Sequence, residues 1–468
     1  MKKDFGIIGM GVMGKSLARN FASKGTKLAL FNRYAKGTEE QVAEKFIGEF
    51  EELNEASGFE DMSGFVNALS TPRKILLMVK AGEVTDSIIE ELSTLLEAND
   101  IIIDGGNSHY KDTERRIKTL NKKGIHYIGS GISGGEEGAL KGPSIMPGGD
   151  KESYDLIAPI VEQIAAKDDD NKPCCTYIGK GGSGHFVKMV HNGIEYAEMQ
   201  LIAEVYSLMR YGLLLEPDEI ASILKTWNLG ELSSYLLEIS SEVIAKKDNE
   251  NWLIDIILDK AGNKGTGSWT SIAAAELGVS ITMINEALFA RYISAFKEER
   301  VNAEKLYKIK NSSEIFDLNI DQIHDAYKAA RIINHHQGVH LISAASQEYN
   351  WDLILPEIAR VWTNGCIIRS SLMKTLISVL ENTDRILTSP QIIPEVLSTL
   401  DNLLEVTGIA IFNKHSIPCL AAASNYITAY TSAQSTANII QGQRDYFGAH
   451  TYKRKDDASG KSYHTNWS

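Results

Sequence analysis

The chain has 468 residues, of which 43% are hydrophobic and 23% are charged, and its formal net charge at pH 7 is −13. These values predict a globular protein of two or three domains. The negative charge argues against general binding to nucleic acid or to anionic membranes, so local cations must hold any acidic substrate. No apolar run approaches the length of a membrane span, and the glycine-broken start is unlike a signal peptide, so we expect a cytoplasmic protein.

The cysteines indicate the redox compartment. Cys174, Cys175, Cys366 and Cys419 do not have the spacing of metal ligands. The adjacent pair has poor geometry for a disulfide. We therefore expect a reducing compartment, no structural disulfide and no metal.

A glycine pattern follows the first strand. The apolar run Phe5–Ile8 leads into Gly9-Met10-Gly11-Val12-Met13-Gly14, and a helical pattern follows. Between a strand and a helix, G-x-G-x-x-G is typical of a dinucleotide site, because the glycines permit a tight turn and close approach of the pyrophosphate to a helix N-terminus. The alternative is a plain strand–turn–helix.

The end of the second strand indicates which dinucleotide binds. The strand, Lys27–Phe31, ends in Asn32-Arg33-Tyr34. NAD enzymes usually carry an acid here that binds the ribose 2′-hydroxyl, whereas arginine pairs with a 2′-phosphate. We predict NADP as the cofactor, against the alternative of a surface arginine.

Later strands of the same sheet also end in polar or glycine-rich loops. Continuous apolar runs at Ile75–Val79 and Ile101–Asp104 indicate buried parallel strands. Ligands bind at the carboxyl ends of such strands, so we expect Val79-Lys80-Ala81 and Asn107 near the nicotinamide. After a strand around Tyr127–Ile128, a glycine-rich run offers Ser133, Gly134 and Gly135 to a ligand, and a last strand is predicted at Cys175–Ile178.

A polar stripe lies on the first long helical segment of the second domain. Its members are Lys188, His191, Asn192, Glu195 and Tyr196, at helical spacings i, i+3, i+4, i+7 and i+8. A solvated helix face is the alternative. The rest of the segment is apolar, which indicates a buried helix whose polar stripe lines a ligand cleft.

From about residue 181 the strand signals stop, and long helical segments such as Val187–Tyr211 and Ser280–Lys297 follow. The expected fold is an α/β N-terminal Rossmann-like doubly wound domain (1–180), then an all-α helical domain (181–436) and a C-terminal tail (437–468). Leu215–Ser234 weakly echoes Leu355–Ser371, so either a duplicated helical unit or chance explains the match.

Ordered motifs along nearly the whole chain carry a resemblance to a known family. They are IIGMGVMG, FNR, MVKAG, DGGNS, GSGISGGEEGA, GPSIMPGG, FVKMVHNGIEY, KGTG, FAR and QRDYFGAH. The sequence resembles the decarboxylating 6-phosphogluconate dehydrogenases, within the β-hydroxyacid dehydrogenases. The resemblance implies conversion of 6-phosphogluconate to ribulose 5-phosphate and carbon dioxide with reduction of NADP, in the pentose phosphate pathway. It also implies a dimer or a multiple of dimers.

The resemblance implies roles for residues that spacing alone does not assign. Lys188 is the expected general base, and Glu195 is the acid that protonates the enediol. The expected 6-phosphate ligands are Lys264, Arg291 and Tyr196, and Arg444 and His450 of the tail reach the substrate of the neighbouring subunit. Further substrate contacts are expected from Asn107, Ser133, Gly134, Gly135, His191 and Asn192.

The chain departs from the family pattern at three positions. This chain has Gly11 where the family usually has alanine, and Tyr34 where it usually has serine or threonine. It has Ser268 where many members have lysine. Two rival interpretations are another β-hydroxyacid dehydrogenase, which has no use for a phosphate site, and a non-catalytic NADP-binding protein, which has no use for Lys188 and Glu195.

Overall fold

The computed structural model describes residues 2–262, 265–308 and 315–467 and contains two compact units. The first unit extends to Ala423, and the second begins at Ser424. Among the described residues, no helix is both long and apolar enough to cross a membrane.

A seven-stranded sheet forms the first part of the first unit. Its strands are β1 (Phe5–Ile8), β2 (Leu28–Phe31), β3 (Ser57–Phe59), β4 (Lys74–Leu77), β5 (Ile101–Asp104), β6 (His126–Ser133) and β7 (Ser144–Gly149). The spatial order is β3-β2-β1-β4-β5-β6-β7, and every pair is parallel except β6 with β7. The expected doubly wound α/β domain is therefore confirmed.

Helices cover both faces of this sheet. They are α1 (Val12–Ser23), α2 (Val42–Ile47), α3 (Met62–Ala68), α4 (Glu83–Leu92), α5 (Tyr110–Asn121), α6 (Gly135–Lys141) and α7 (Lys151–Ile164), with a 3-10 turn at Glu51–Leu53. Alternate strand residues enter two separate cores: Phe5 and Ile7 pack on one face, and Ile8 and Ile75 on the other. Burial on both faces explains why these strands are continuous apolar runs.

Two strand predictions were wrong: one strand is longer than predicted, and one predicted strand does not form. The glycine run after Ile128 does not end β6, which continues to Ser133 because a helix packs directly on these glycines. The segment Cys175–Ile178 is not a regular strand; around it only isolated bridges join Cys175 and Gly179 to β7. Pro147, in the middle of β7, has no N–H to donate, which interrupts the ladder on that side.

The rest of the first unit is helical. Its helices are α8 (Ser183–Ser207), α9 (Pro217–Trp227), α10 (Tyr235–Ala245), α11 (Leu253–Ile256), α12 (Thr266–Leu277), α13 (Thr282–Ala295), α14 (Lys297–Tyr307), α15 (Ile320–Tyr349), α16 (Leu355–Val361), α17 (Ser371–Leu380), α18 (Ile393–Phe412) and the start of α19 (Pro418–Tyr430). A π-helical turn, Leu208–Gly212, extends α8, and a 3-10 turn covers Ile386–Thr388. A short ribbon, β8 (Lys247–Asp248) with β9 (Asn251–Trp252), is an exception to the all-α expectation.

The weak sequence repeat corresponds to two similar helix–turn–helix units. In each, a serine side chain caps the second helix: Ser234 accepts from Leu237 N, and Ser370 accepts from Met373 N. Ser234 and Ser370 form an isolated antiparallel bridge that joins these two helix–turn–helix segments within the first unit. This matching arrangement supports a duplicated helical unit.

The second unit contains the end of α19, helix α20 (Ala437–Gly448) and the last described residues. The buried Asp445 carboxylate accepts hydrogen bonds from His464 Nδ1 and Trp467 Nε1, both at 2.9 Å, and from the N–H groups of Thr451 and Thr465. Burial by itself raises the pKa of Asp445, but these donors lower it to about 2. A polar network thus organises a segment that shows little apolar periodicity.

A buried carboxylate joins α8 to the start of α19. Glu204 accepts hydrogen bonds from the backbone N–H groups of Cys419 at 2.8 Å and Leu420 at 2.9 Å. Burial raises the pKa of Glu204 from its ordinary value of 4.5 to about 7, although these donors act in the opposite direction. The folded protein therefore favours the protonated form below about pH 7.

This raised pKa predicts a pH-dependent stability. The contribution of protonated Glu204 is fully present below about pH 4.5 and is lost as the pH rises to about 7. Relative to Glu204→Gln, whose side chain does not titrate, the wild type should lose roughly 3 kcal/mol of free energy of unfolding between pH 4.5 and pH 8. Urea unfolding across this range measures the difference. The exposed Glu49→Gln is the control, and a difference that is constant with pH would contradict the prediction.

Candidate active site

The residues predicted to bind the dinucleotide lie together at the carboxyl edge of the sheet. The glycine pattern follows β1, Asn32-Arg33-Tyr34 follow β2, Val79-Lys80-Ala81 follow β4, and Asn107 follows β5. The strand order reverses between β1 and β4. In open α/β sheets ligands bind at this switch point.

The glycine turn fits a pyrophosphate. Gly9 has a φ of +103°, and a Cβ on Gly14 would lie 1.9 Å from the Gly9 carbonyl oxygen, so both positions require glycine. A Cβ on Gly11 would meet no atom within 4 Å. Gly11 is the N-cap of α1 and makes no side-chain capping hydrogen bond. The first N–H groups of this 12-residue helix therefore remain available to a ligand in the open space beside Gly11.

Asn32 connects the second strand to this turn. Its Oδ1 accepts a hydrogen bond of 3.2 Å from Met10 N. The Arg33 side chain is 76% exposed, and the Tyr34 ring is also exposed. A guanidinium and an aromatic ring therefore stand in solvent at the position where the ribose of a dinucleotide binds in this fold.

A buried carboxylate fixes the loop that carries Asn107. Asp104 accepts from the hydroxyls of Ser108 and Tyr127, both at 2.6 Å, from Arg116 Nη1 at 3.1 Å and from Gly106 N. These contacts satisfy a charge that would otherwise be costly to bury. They hold the residues on either side of Asn107.

A cavity of about 620 Å³ lies beside this edge, between the sheet and the helices. Its lining includes ten of the predicted site residues: Met13, Asn107, Ser133, Gly134, Gly135, Lys188, Asn192, Glu195, Tyr196 and Arg291. Four members of the polar stripe on α8 thus face one space, and the fifth, His191, is buried next to them. The solvated-face alternative for this stripe is excluded.

Lys188 is held at the floor of the cavity by close contact between α8 and the sheet. A Cβ on Gly131 would lie 2.3 Å from the Lys188 Cβ, so β6 can approach the helix only without a side chain there. A Cβ on Gly184 would lie 2.3 Å from the carbonyl oxygens of Gly129 and Met146. Burial lowers the pKa of Lys188, and the opposing influence of Glu195 and Cys366 is smaller. Burial therefore favours the neutral form of the amine.

His191 connects the amine to the end of β6. Its Nδ1 lies 3.3 Å from Lys188 Nζ and 3.7 Å from Glu195 Oε2, and its Nε2 lies 3.3 Å from Ser133 Oγ. Burial lowers the pKa of His191 well below its ordinary value, and the Lys188 charge lowers it further. A neutral ring can accept from one neighbour and donate to another.

A cation lies further along the same cavity. The Arg291 guanidinium stacks 3.5 Å from the centre of the Tyr196 ring, and its Nη1 donates to the Gly262 carbonyl at 3.1 Å. Tyr196 is eight residues beyond Lys188, which is about 12 Å along a helix axis. The cavity therefore has an amine and a carboxylate in one region and a cation beyond them.

Comparison with known proteins identifies the family. Residues 4–179 match the NAD binding domain of 6-phosphogluconate dehydrogenase, and residues 184–467 match its C-terminal domain. The chain is 46% identical to the decarboxylating 6-phosphogluconate dehydrogenase of Escherichia coli K12, with 100% of this chain and 99% of that protein aligned. The chain belongs to the 6-phosphogluconate dehydrogenase family.

Further relatives show the range of the 6-phosphogluconate dehydrogenase family. Bacillus subtilis has an NADP(+)-dependent member, 47% identical to this chain, and an NAD(+)-dependent member, 46% identical, each aligned over 100% of this chain and at least 99% of its own length. The Plasmodium falciparum enzyme, solved in its apo form and with NADP+ or 6-phosphogluconate, superposes with a TM-score of 0.94 at 39% identity, covering 99% of this chain and 100% of that one.

Three of the residues predicted from motifs are not among the described residues that line this cavity. Lys264 lies outside the described residues. Arg444, within α20, and His450, just after it, belong to the second unit. Sequence reasoning missed four lining residues, Ile132, Met199, Gly262 and Ile367. Met199 falls one helical turn beyond Glu195, so extending the stripe would have found it, whereas nothing in the sequence marks Ile367.

The contact between Gly131 and Lys188 yields a prediction. In Gly131→Ala the new methyl group overlaps the Lys188 Cβ, so helix and strand must separate. We expect a loss of about 1–3 kcal/mol in the free energy of unfolding. Turnover should also fall, with dinucleotide affinity retained, because the glycine turn follows β1, a different strand.

Gly138→Ala is the matched control. A Cβ on Gly138 would lie 3.8 Å from its nearest neighbour, so this variant should keep wild-type turnover. Steady-state kinetics and urea unfolding of both variants make the comparison. Wild-type turnover and stability in Gly131→Ala would contradict the prediction.

Proposed function

We propose that this chain catalyses the oxidative decarboxylation of 6-phospho-D-gluconate to D-ribulose 5-phosphate and carbon dioxide, with reduction of NADP. The observation that carries the proposal is the convergence of Lys188 and Glu195 on one cavity at the carboxyl edge of a dinucleotide-binding sheet. The named functions of the full-length relatives support it. The four cysteines are unpaired thiols, in keeping with a reducing compartment such as the cytoplasm.

The proposed cofactor site uses the carboxyl edge of the sheet. The pyrophosphate binds at the Gly9–Gly14 turn, Arg33 pairs with the 2′-phosphate of NADP, and Val79-Lys80-Ala81 and Asn107 line the nicotinamide end. The uncapped start of α1 supports the pyrophosphate position, and the exposed Arg33 side chain supports the preference for NADP.

Lys188 is the proposed base of the first step. Bound NADP accepts the hydride from C3 of the substrate. Lys188, whose neutral form is favoured by burial, takes the proton of the 3-hydroxyl as the ketone forms. His191, at 3.3 Å from the amine, and Asn192 orient the reacting hydroxyls.

Loss of carbon dioxide from the resulting β-keto acid needs an acceptor for the electron pair of the broken bond. Protonated Lys188 returns its proton to the keto oxygen, so an enediol forms. Glu195 then donates a proton to C1 of the five-carbon enediol, and Lys188 takes the hydroxyl proton as the product ketone forms. This order requires Lys188 to begin neutral and Glu195 to begin protonated, and the two residues lie about two turns apart on α8.

The phosphate of the substrate is proposed to bind at the Arg291 end of the cavity. Arg291 and Tyr196 are in contact there, and Lys264 completes the site by family resemblance. The substrate is proposed to lie along α8 with C3 directed toward Lys188 and the phosphate toward Tyr196. Asn107, Ser133, Gly134 and Gly135 contact it from the sheet side.

The C-terminal segment is proposed to complete the active site of a second subunit. We expect a homodimer, or a multiple of dimers, in which Arg444 of the partner subunit and His450 of the partner subunit bind the substrate. The exposed apolar side chains of α20, Ile439, Ile440 and Phe447, support an intermolecular contact for this helix.

Substitution of the proposed base tests the function. The wild type should reduce NADP only when 6-phosphogluconate is present and release one carbon dioxide for each NADPH. Lys188→Ala should lower kcat by about 10²–10⁴-fold with little change in NADP affinity. The wild-type kcat/KM should fall toward low pH as Lys188 becomes protonated. The surface variant Lys180→Ala is the control, and near-normal turnover of Lys188→Ala would place the base elsewhere.

Glu195→Gln separates the two proton transfers. The variant should still form NADPH in its first turnover, because oxidation needs Lys188 and not Glu195. Steady-state product release should be slow, since the enediol is not protonated at C1. Stopped-flow absorbance distinguishes the phases. Weaker substrate affinity with unchanged turnover would make Glu195 a binding residue instead.

A mixing experiment tests the shared active site. Lys188→Ala and Arg444→Ala chains are each expected to be inactive as homodimers. If tails are exchanged, one site of a mixed dimer carries both defects and the other carries neither, so random mixing should restore roughly a quarter of wild-type activity. No recovery, with mixed dimers demonstrated by mass spectrometry, would contradict exchanged tails.

A further inference from the structure

The Arg33 guanidinium is already paired with a carboxylate of the same chain. Arg33 Nε donates to Glu39 Oε2 at 3.1 Å, and Asn32 Nδ2 lies 3.3 Å from the same oxygen. We propose that Glu39 competes with the 2′-phosphate for Arg33 and accepts the 2′-hydroxyl of NAD, and so determines how strongly the site discriminates between the two dinucleotides. This proposal rests on the proposed role of Arg33.

The backbone brings Glu39 back to the end of β2. Ala35 and Glu39 exchange two backbone hydrogen bonds, of 2.8 and 2.7 Å, which close a tight loop after Tyr34. Asn32, which contacts Glu39 with its amide nitrogen, accepts from Met10 N with its amide oxygen. Glu39 is thereby tied to the glycine turn through a single side chain.

Glu39 has the chemistry that sequence reasoning looked for at the strand end. Dinucleotide-binding folds selective for NAD place an acid there to accept the ribose 2′-hydroxyl. Here the residues directly after β2 are an amide and a guanidinium, and the acid arrives seven residues later in sequence. The site therefore contains both the group that attracts a 2′-phosphate and the group that repels it.

The pair remains exchangeable. The hydrogen bond from Arg33 and its charge lower the pKa of Glu39 and outweigh the effect of its slight burial, so the carboxylate is ionised at neutral pH. Both side chains are exposed, 76% for Arg33 and 37% for Glu39, and solvent weakens such a pair. A 2′-phosphate can displace Glu39, but binding then includes the cost of breaking the pair and of bringing two anions together.

Two consequences follow for the two cofactors. NADP binds more weakly than Arg33 alone would allow, because the carboxylate must move away. NAD, which has no phosphate, leaves the pair intact and gains Glu39 as a hydrogen-bond acceptor. One backbone arrangement can then serve either dinucleotide, and the charge at residue 39 shifts the preference.

The test is Glu39→Gln, which removes the charge and keeps the shape. Dissociation constants for NADP and NAD, from fluorescence titration of the full-length enzyme, should change in opposite directions. We expect NADP to bind about three- to tenfold more tightly, as for loss of one exposed close charge, and NAD about twofold more weakly. The ratio of kcat/KM values for the two cofactors should rise in parallel.

Glu40→Gln is the matched control, because it removes the same charge from the same loop. Glu40 accepts from Gly37 N and has no bond to Arg33 among the described contacts. The NADP-to-NAD affinity ratio should change only in Glu39→Gln. An unchanged ratio in Glu39→Gln, an equal shift in both variants, or weaker binding of both cofactors would each overturn the proposal.

Arg33→Gln separates this proposal from the function on which it rests. If Arg33 binds the 2′-phosphate, this variant loses NADP affinity and keeps NAD affinity. Selective loss there, with an unaltered ratio in Glu39→Gln, would overturn the competition by Glu39 and leave the role of Arg33 intact. Equal loss of both cofactors in Arg33→Gln would overturn the role of Arg33 itself.

Discussion

The candidate active site depends on one contact, in which the start of α8 lies directly on the backbone of β6 and β7. Gly129, Gly131 and Gly148 on the strands and Gly184 on the helix leave no room for a Cβ at this contact. Helix and sheet therefore approach more closely than side chains would allow. The contact places Lys188 against β6 and leaves it almost fully buried.

The proposed roles of Lys188 and Glu195 depend on how deeply this contact buries each side chain. Lys188 is 7% exposed, whereas Glu195, about two turns along α8, has a side chain that is 20% exposed. Desolvation acts against a charged amine, so the buried end of the stripe favours a neutral base. The ion pair of Arg33 and Glu39, by contrast, is exposed to solvent and therefore weak. A single substitution in this pair is expected to change the proposed preference between NADP and NAD.

Sequence periodicity predicted the doubly wound sheet, the long helix α8 and its polar stripe correctly, because burial on both sheet faces and on most of a helix leaves a clear pattern. The prediction was wrong for the glycines after Ile128, because glycine occurs both in loops and in strands that another element approaches closely. We predicted a loop there, but these glycines extend β6, and a helix packs directly on them. The tail gave no sign of α20 or of the network around Asp445, because polar contacts between distant residues leave no period.

The sequence by itself determined the fold class and predicted the glycine turn and the reacting groups, since each rests on local spacing or on motifs shared with a family. Only the tertiary structure decided which of these groups share a cavity, that Lys188 is buried, and that Glu39 returns to Arg33. The physical reason is that burial and electrostatic pairing depend on what packs against a residue. Gly131 is distant in sequence from Lys188, and the tight loop that returns Glu39 to Arg33 has no periodic pattern, so neither contact can be predicted from local spacing.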